Sequence, residues 1–170
     1  AHACAVLAVQ ITPYGIVNQI DEVYEVGRTA NEVISECMTR PWWSKVTHLV
    51  MDVAGKSHPG AESQSEIWRN RTGFRAIMQK VPIVDGILRH RTFLKDPETG
   101  QPRLFHHPRC KGTIGEYGRY RYRKDAGNRT ATELPLDREN DAMKALAYGL
   151  VCNFGHVAKP LHPAHVEVRF

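Results

Sequence analysis

Two aspartates, far apart in the chain, are the residues best suited to chemistry. Asp52 closes the run His48-Leu49-Val50-Met51-Asp52-Val53-Ala54-Gly55 and drives a single carboxylate into what otherwise reads as a buried strand. An ionised group is costly to bury unless it is paired or bound to a metal. Asp52 is therefore either a metal ligand or a partly solvated cap on the turn after the strand. Asp141 stands at the entrance of a helix expected over residues 137–153, whose acidic first turn suits the helix dipole. Hard divalent cations take oxygen ligands, and Mg²⁺ keeps several waters while using one or two carboxylates. A strand acid and a helix acid form such a site only if the fold brings them together.

A second constellation is basic. Between Ile87 and Lys124 fall Arg89, Arg91, Lys95, Arg103, Arg109, Lys111, Arg119, Arg121, Arg123 and Lys124, with His90, His106 and His107 among them and Tyr117, Tyr120 and Tyr122 interleaved. Cations that neutralise phosphates, beside aromatics able to pack on sugars or bases, suit a nucleic-acid groove. The alternative is a solvated ribbon whose tyrosines pack inward. The formal charge of +5 favours a polyanionic partner without requiring one.

The elements that must position these residues follow an α/β order. Ala3 to Ile11 is apolar, Pro13-Tyr14-Gly15 signals a turn and Ile16 to Val26 continues the pattern, which predicts an antiparallel hairpin. Thr29 and Glu32 have capping-box spacing. Behind them Val33, Ile34, Cys37 and Met38 recur on one helical face, and Pro41 ends the run. Trp42 and Trp43 at the helix exit read as lids on the core. After the Asp52 strand, Ser63 and Glu66 repeat the capping-box spacing ahead of Ile67 and Trp68. Gly73 to Lys80 is short and helical in pattern, and Pro82-Ile83-Val84 reads as a short buried strand. Asp96 to Gly100 is a turn joining either two strands or a helix and a strand. In the last helix Met143, Leu146, Leu150 and Val151 share one face, while Asp141, Ala145 and Tyr148 share a neighbouring one.

Length and composition, 170 residues with 42% apolar, predict one domain over residues 1–170. The four cysteines, Cys4, Cys37, Cys110 and Cys152, form no Cys-x-x-Cys pair, so neither a zinc site nor a redox motif is expected from them. No apolar run reaches membrane-spanning length. Gly55-Lys56-Ser57 lacks the first glycine of a phosphate-binding loop, so ATP hydrolysis is not expected. His162 and His165 are read as part of a terminal extension or final strand.

Taken in order, these pieces resemble the C-terminal nuclease domain of the large terminase subunit of tailed double-stranded DNA bacteriophages. The likeness rests on Met51-Asp52 ending the central strand, on the segment from Cys110 to Tyr122, and on Glu139-Asn140-Asp141 leading into Ala142-Met143-Lys144-Ala145-Leu146-Ala147-Tyr148. It implies a ribonuclease H-like mixed central sheet flanked by helices, here with a basic hairpin insertion. The implied activity is endonucleolytic cutting of viral DNA concatemers during packaging, using Mg²⁺ or Mn²⁺ at a two-ion site. On this resemblance Asp52 and Asp141 are the acidic ligands. Asn140 stands where the family carries another acid, with Glu139 as a neighbouring substitute. The family's first-strand Asp has no counterpart in residues 1–20, and the expectation is that it lies upstream of Ala1, leaving the site incomplete in these residues. Double-stranded DNA, a portal and a small terminase subunit are the implied partners, in the host cytoplasm, with an ATPase domain upstream. Another ribonuclease H-like nuclease, such as a junction resolvase or transposase core, or a non-catalytic DNA-binding module are the alternatives.

Overall fold

The computed structural model describes residues 3–56, 62–119 and 140–157, and is a mixed α/β structure. Strands β1 (Ala3–Ile11) and β2 (Val17–Val26) form the expected antiparallel hairpin, with Ala3 opposite Val26 and a register shift between Ala8 and Val9. Gly15, at φ +75°, closes the turn by donating its N–H to the Thr12 carbonyl. Helix α1 (Ala30–Thr39) begins at the Thr29/Glu32 capping box and buries Val33, Ile34 and Cys37. Met38 is exposed. A 3-10 turn, Trp43–Lys45, leads to the two-residue strand β3 (Leu49–Val50). Helix α2 (Gln64–Thr72) starts at the second expected capping box, Ser63/Glu66.

The next stretch departs from the sequence reading. Residues expected to be helical contain instead the strand β4 (Ala76–Ile77), parallel to β3. Pro82-Ile83-Val84, expected as a buried strand, opens helix α3 (Ile83–Leu94), where Ile83 and Val84 are exposed. Proline before the first helical turn costs no hydrogen bond, and an apolar triplet cannot by itself distinguish strand from helix. The basic region is not a hairpin among the described residues. The turn at Asp96 joins α3 to strand β5 (Leu104–His106), which pairs parallel with β2, and helix α4 (Lys111–Arg119) follows. The final described helix is α5 (Asp141–Phe154).

Among the described residues two sheets result, β1-β2-β5 and β3-β4. Alternation along β1 and β2 feeds two cores. On one face Val17, Phe93, Leu104, Met143, Leu146 and Leu150 pack together with Leu7 at their margin. On the other, Val23, Val33, Ile34, Cys37 and Trp68 pack with Val6, Leu49, Met51 and both Trp42 and Trp43 against them, as expected of core lids. Helix α5 crosses α3 closely at Gly86, where a Cβ would lie 2.9 Å from that of Ala147.

Candidate active site

Asp52 lies two residues beyond the end of β3 and is half-buried. Its Oδ1 accepts the N–H of Ala54 at 3.0 Å, so it does cap the next turn. It also accepts a hydrogen bond from the hydroxyl of Tyr148, on α5. Burial first, and then the Asp52 charge, push the Tyr148 phenol up to about 12. Tyr148 is thereby held as the proton-bearing donor to Asp52 at neutral pH.

Asp141 opens α5 and is also half-buried; burial first raises the pKa of Cys4 on β1 and of Tyr24 on β2, with the Glu116 hydrogen bond next for Tyr24, and the Asp141 charge adds to both. One groove of about 1450 Å³ is lined by Asp52, Asp141, Lys144 and Tyr148 together. Positions 141, 144 and 148 fall on one helical stripe. Tyr148 sits two turns, roughly 10 Å, along the axis from Asp141, with Lys144 between them. The two acids therefore share a groove and bracket a cation, and Asp52 engages the helix beyond Asp141 rather than Asp141 itself. A smaller cavity of about 220 Å³ between α3 and α5 also borders Asp52, with Asn140, Lys144, Tyr148 and His90 on its walls.

The start of α5 is positioned from outside. Glu116, fully buried on α4, accepts the N–H of Ala142 at 3.1 Å, the N–H of Met143 at 2.9 Å and the hydroxyl of Tyr24 at 2.7 Å. It supplies the acceptor that a helix start requires. Glu22 does the same for α4, taking the N–H groups of Gly112 at 2.6 Å and Thr113 at 3.0 Å. The close approach needs Gly112, whose Cβ would collide with the Tyr24 ring at 2.4 Å.

A buried chain of hydrogen bonds connects this capping to His90. Thr113 donates to Glu22 and accepts from Gln19 Nε2; Gln19 Oε1 accepts from His106 Nδ1 at 2.6 Å. His106 Nε2 then accepts from the Tyr117 hydroxyl at 2.9 Å, leaving that oxygen to accept from His90 Nε2 at 2.7 Å. This order follows from the donor capacity of each group when both imidazoles are neutral. Burial first, then His106, push the His90 pKa down to about 4.

The basic residues do not gather into one groove. Arg89 donates to the carbonyls of Phe154, Gly155 and His156, closing the C-terminal end of α5. Arg103 pairs with Asp96 at 2.8 Å and lies over the Phe93 ring, and Arg109 Nε donates to His107. Arg91, Lys95 and Lys111 are exposed; Arg119, on the last turn of α4, contributes to the field around Tyr24. Tyr117 packs inward between His90 and His106. Arg121, Arg123, Lys124, Tyr120, Tyr122, His162, His165 and Glu139 lie outside the described residues. Asn140 is buried directly before α5.

Sequence reasoning missed Lys144 and Glu116. The i, i+3, i+7 spacing from Asp141 to Lys144 and Tyr148 was available as a signal for the first. Glu116 carried none, because its role depends on contact with α5. As oxygen donors, the two carboxylates suit a hard cation. Among the described residues no group of three or more His, Cys, Asp or Glu side chains is gathered for a metal. No helix among them is long and apolar enough to cross a membrane. Protein-family models, curated proteins and solved structures give no match to the chain.

Proposed function

We propose that the chain is the ribonuclease H-like nuclease domain of a large terminase subunit, a metal-dependent endonuclease acting on double-stranded viral DNA during genome packaging. The observation that carries this reading is that Asp52, from the end of a strand, and Asp141, from the start of a distant helix, both line one groove. Mg²⁺ or Mn²⁺ would be held by these two carboxylates and would activate a water and neutralise charge at the leaving oxygen. The chain's own contribution is to fix the acids. Tyr148 and the Ala54 N–H orient Asp52, while Glu116 anchors the helix that bears Asp141. Lys144, between them, places a positive charge where a phosphate would approach. The exposed Arg91, Lys95 and Lys111 remain available to the DNA backbone. In the parent protein the portal, the small subunit and an ATPase domain are the proposed partners, in the host cytoplasm.

Nicking of supercoiled plasmid by the intact protein with Mn²⁺ tests the reading. Asp52→Ala and Asp141→Ala should each lower the rate at least about 100-fold while leaving the thermal transition nearly unchanged. Undiminished cleavage by both variants overturns it.

A further inference from the structure

The cavity of about 220 Å³ between α3 and α5 is a separate space from the groove, yet the two share Asp52, Lys144 and Tyr148 as walls. Among the described residues the rest of its lining is mostly apolar, with Val81 and Ile87 on the α3 side and Met143 and Ala147 on α5. Helices α3 and α5 touch at its border, since Gly86, another of its walls, leaves no room for a Cβ against Ala147. A space between two converging helix faces is a wedge, and a wedge admits a flat ring more readily than a branched chain. A methionine wall adapts its shape to such a ring.

The polar walls define what such a ring must carry. His90 is only 8% exposed, and its Nε2 donates to the Tyr117 hydroxyl at 2.7 Å. Gln19 sets that order, because its Nε2 donates to Thr113 and its Oε1 therefore accepts from His106. The other nitrogen of the neutral His90 ring, Nδ1, is thus a bare lone pair, and no described residue donates to it. A buried acceptor without a donor is costly, and a ligand N–H removes that cost. Asp52 adds a second acceptor at the junction with the groove, while the Lys144 ammonium brings donors. The complementary molecule is planar, offers both an N–H donor and an acceptor, and is uncharged where it faces His90. A hydrocarbon ring would leave these groups unsatisfied. Volume sets the rest. A cavity of about 150 Å³ holds benzene, and sites for drug-sized ligands begin at about 300 Å³. At about 220 Å³ this space takes one or two fused rings without an attached sugar or phosphate.

We propose that this cavity is a nucleobase site: a purine or pyrimidine enters between α3 and α5, donates an N–H to His90 Nδ1, and leaves its sugar at the junction with the groove, beside Asp52, Lys144 and Tyr148. A base is a planar ring that combines N–H donors with ring or carbonyl acceptors, and it is attached to a group too large to follow it in. Two sources share this chemistry, a free nucleoside and a base turned out of a polynucleotide. The ring site stands without the nuclease reading. The polynucleotide source rests on that reading, and it brings the phosphodiester of the extruded nucleotide next to Asp52. Extrusion costs least where the base is already unpaired, so single-stranded DNA is the polymer to test.

The test uses the full chain without metal, with the four 2′-deoxynucleosides as probes observed by saturation-transfer NMR. Base-ring protons should take up more saturation than sugar protons, and free deoxyribose should take up none. His90→Gln keeps an amide nitrogen for Tyr117 but lacks the Nδ1 lone pair, and it should weaken nucleoside binding about tenfold. Ile87→Trp fills the cavity and should abolish binding; a cooperative thermal transition shows that each variant is folded. A short single-stranded oligonucleotide should bind more tightly than its wholly abasic counterpart, with the difference lost in Ile87→Trp. Equal affinity of the two, with nucleoside binding intact, assigns the site to free nucleosides. No saturation transfer at millimolar nucleoside, saturation spread evenly over ring and sugar, or binding unaltered in the folded variants overturns the proposal. Plasmid nicking is read separately: base binding without nicking upholds the site and counts against the nuclease reading, and nicking without base binding does the reverse.

Discussion

The two ends of α5 are both completed by side chains from other elements, with opposite charge and different consequences. At the N-terminal end a buried carboxylate, Glu116, takes two backbone N–H groups. At the C-terminal end the Arg89 guanidinium takes three carbonyls, and His156 and Asp85 pair beside it at 3.0 Å. Both arrangements complement the helix dipole. Glu116 is sealed from solvent, however, whereas Arg89 remains partly exposed. The contrast explains why an apparently uniform basic region does not act as one. Arg89 closes a helix at the end opposite Asp141, its full 14-residue length, about 20 Å, away.

Substitutions at the two ends separate these roles. The largest effect on cleavage belongs to Asp52→Ala and Asp141→Ala, with little effect on folding. The largest effect on folding belongs to Glu116→Ala, which strands the first donors of α5 in the interior. A loss of about 3 kcal/mol in urea unfolding is expected, together with impaired cleavage through displacement of Asp141. A loss below 1 kcal/mol would remove Glu116 as the anchor.

Acid sharpens the same comparison. His90 is neutral in the folded chain to about pH 4, against an ordinary value of 6.5. Its contribution to stability is fully present above pH 6.5. It declines as the pH falls towards 4, because the unfolded chain takes up the proton first. The decline should amount to roughly 3 kcal/mol, and His90→Gln should flatten this part of the stability curve. An unchanged acid dependence would count against the buried chain from Glu22 to His90. The smallest effect is expected at the other end. Arg89→Ala should cost about 1 kcal/mol and leave plasmid nicking unchanged at low salt, whereas a several-fold loss of DNA affinity would give Arg89 back to the phosphate-binding set.

Local physics made part of this protein legible in its sequence. The capping boxes at Thr29 and Ser63 need only residues three apart. The hairpin needs only alternation and Gly15, and the buried face of α5 needs only helical periodicity. Asp52 was recognisable because one charge interrupts an apolar run. Where short apolar pieces lacked a decisive period, the reading failed, as at Ala76–Ile77 and Ile83–Leu94.

The partners of charged groups belonged to the tertiary structure. Nothing near Glu116 in the chain announces that it will cap α5, and nothing near Arg89 announces that it will close the other end. A carboxylate or guanidinium satisfies whichever donors or acceptors the packed elements bring within reach, and that is a property of the assembled layers. The amino-acid order determined where helices and strands begin, and which faces they bury. Only their packing decided that Asp52 and Asp141 share a groove and that the cations divide between framework and surface.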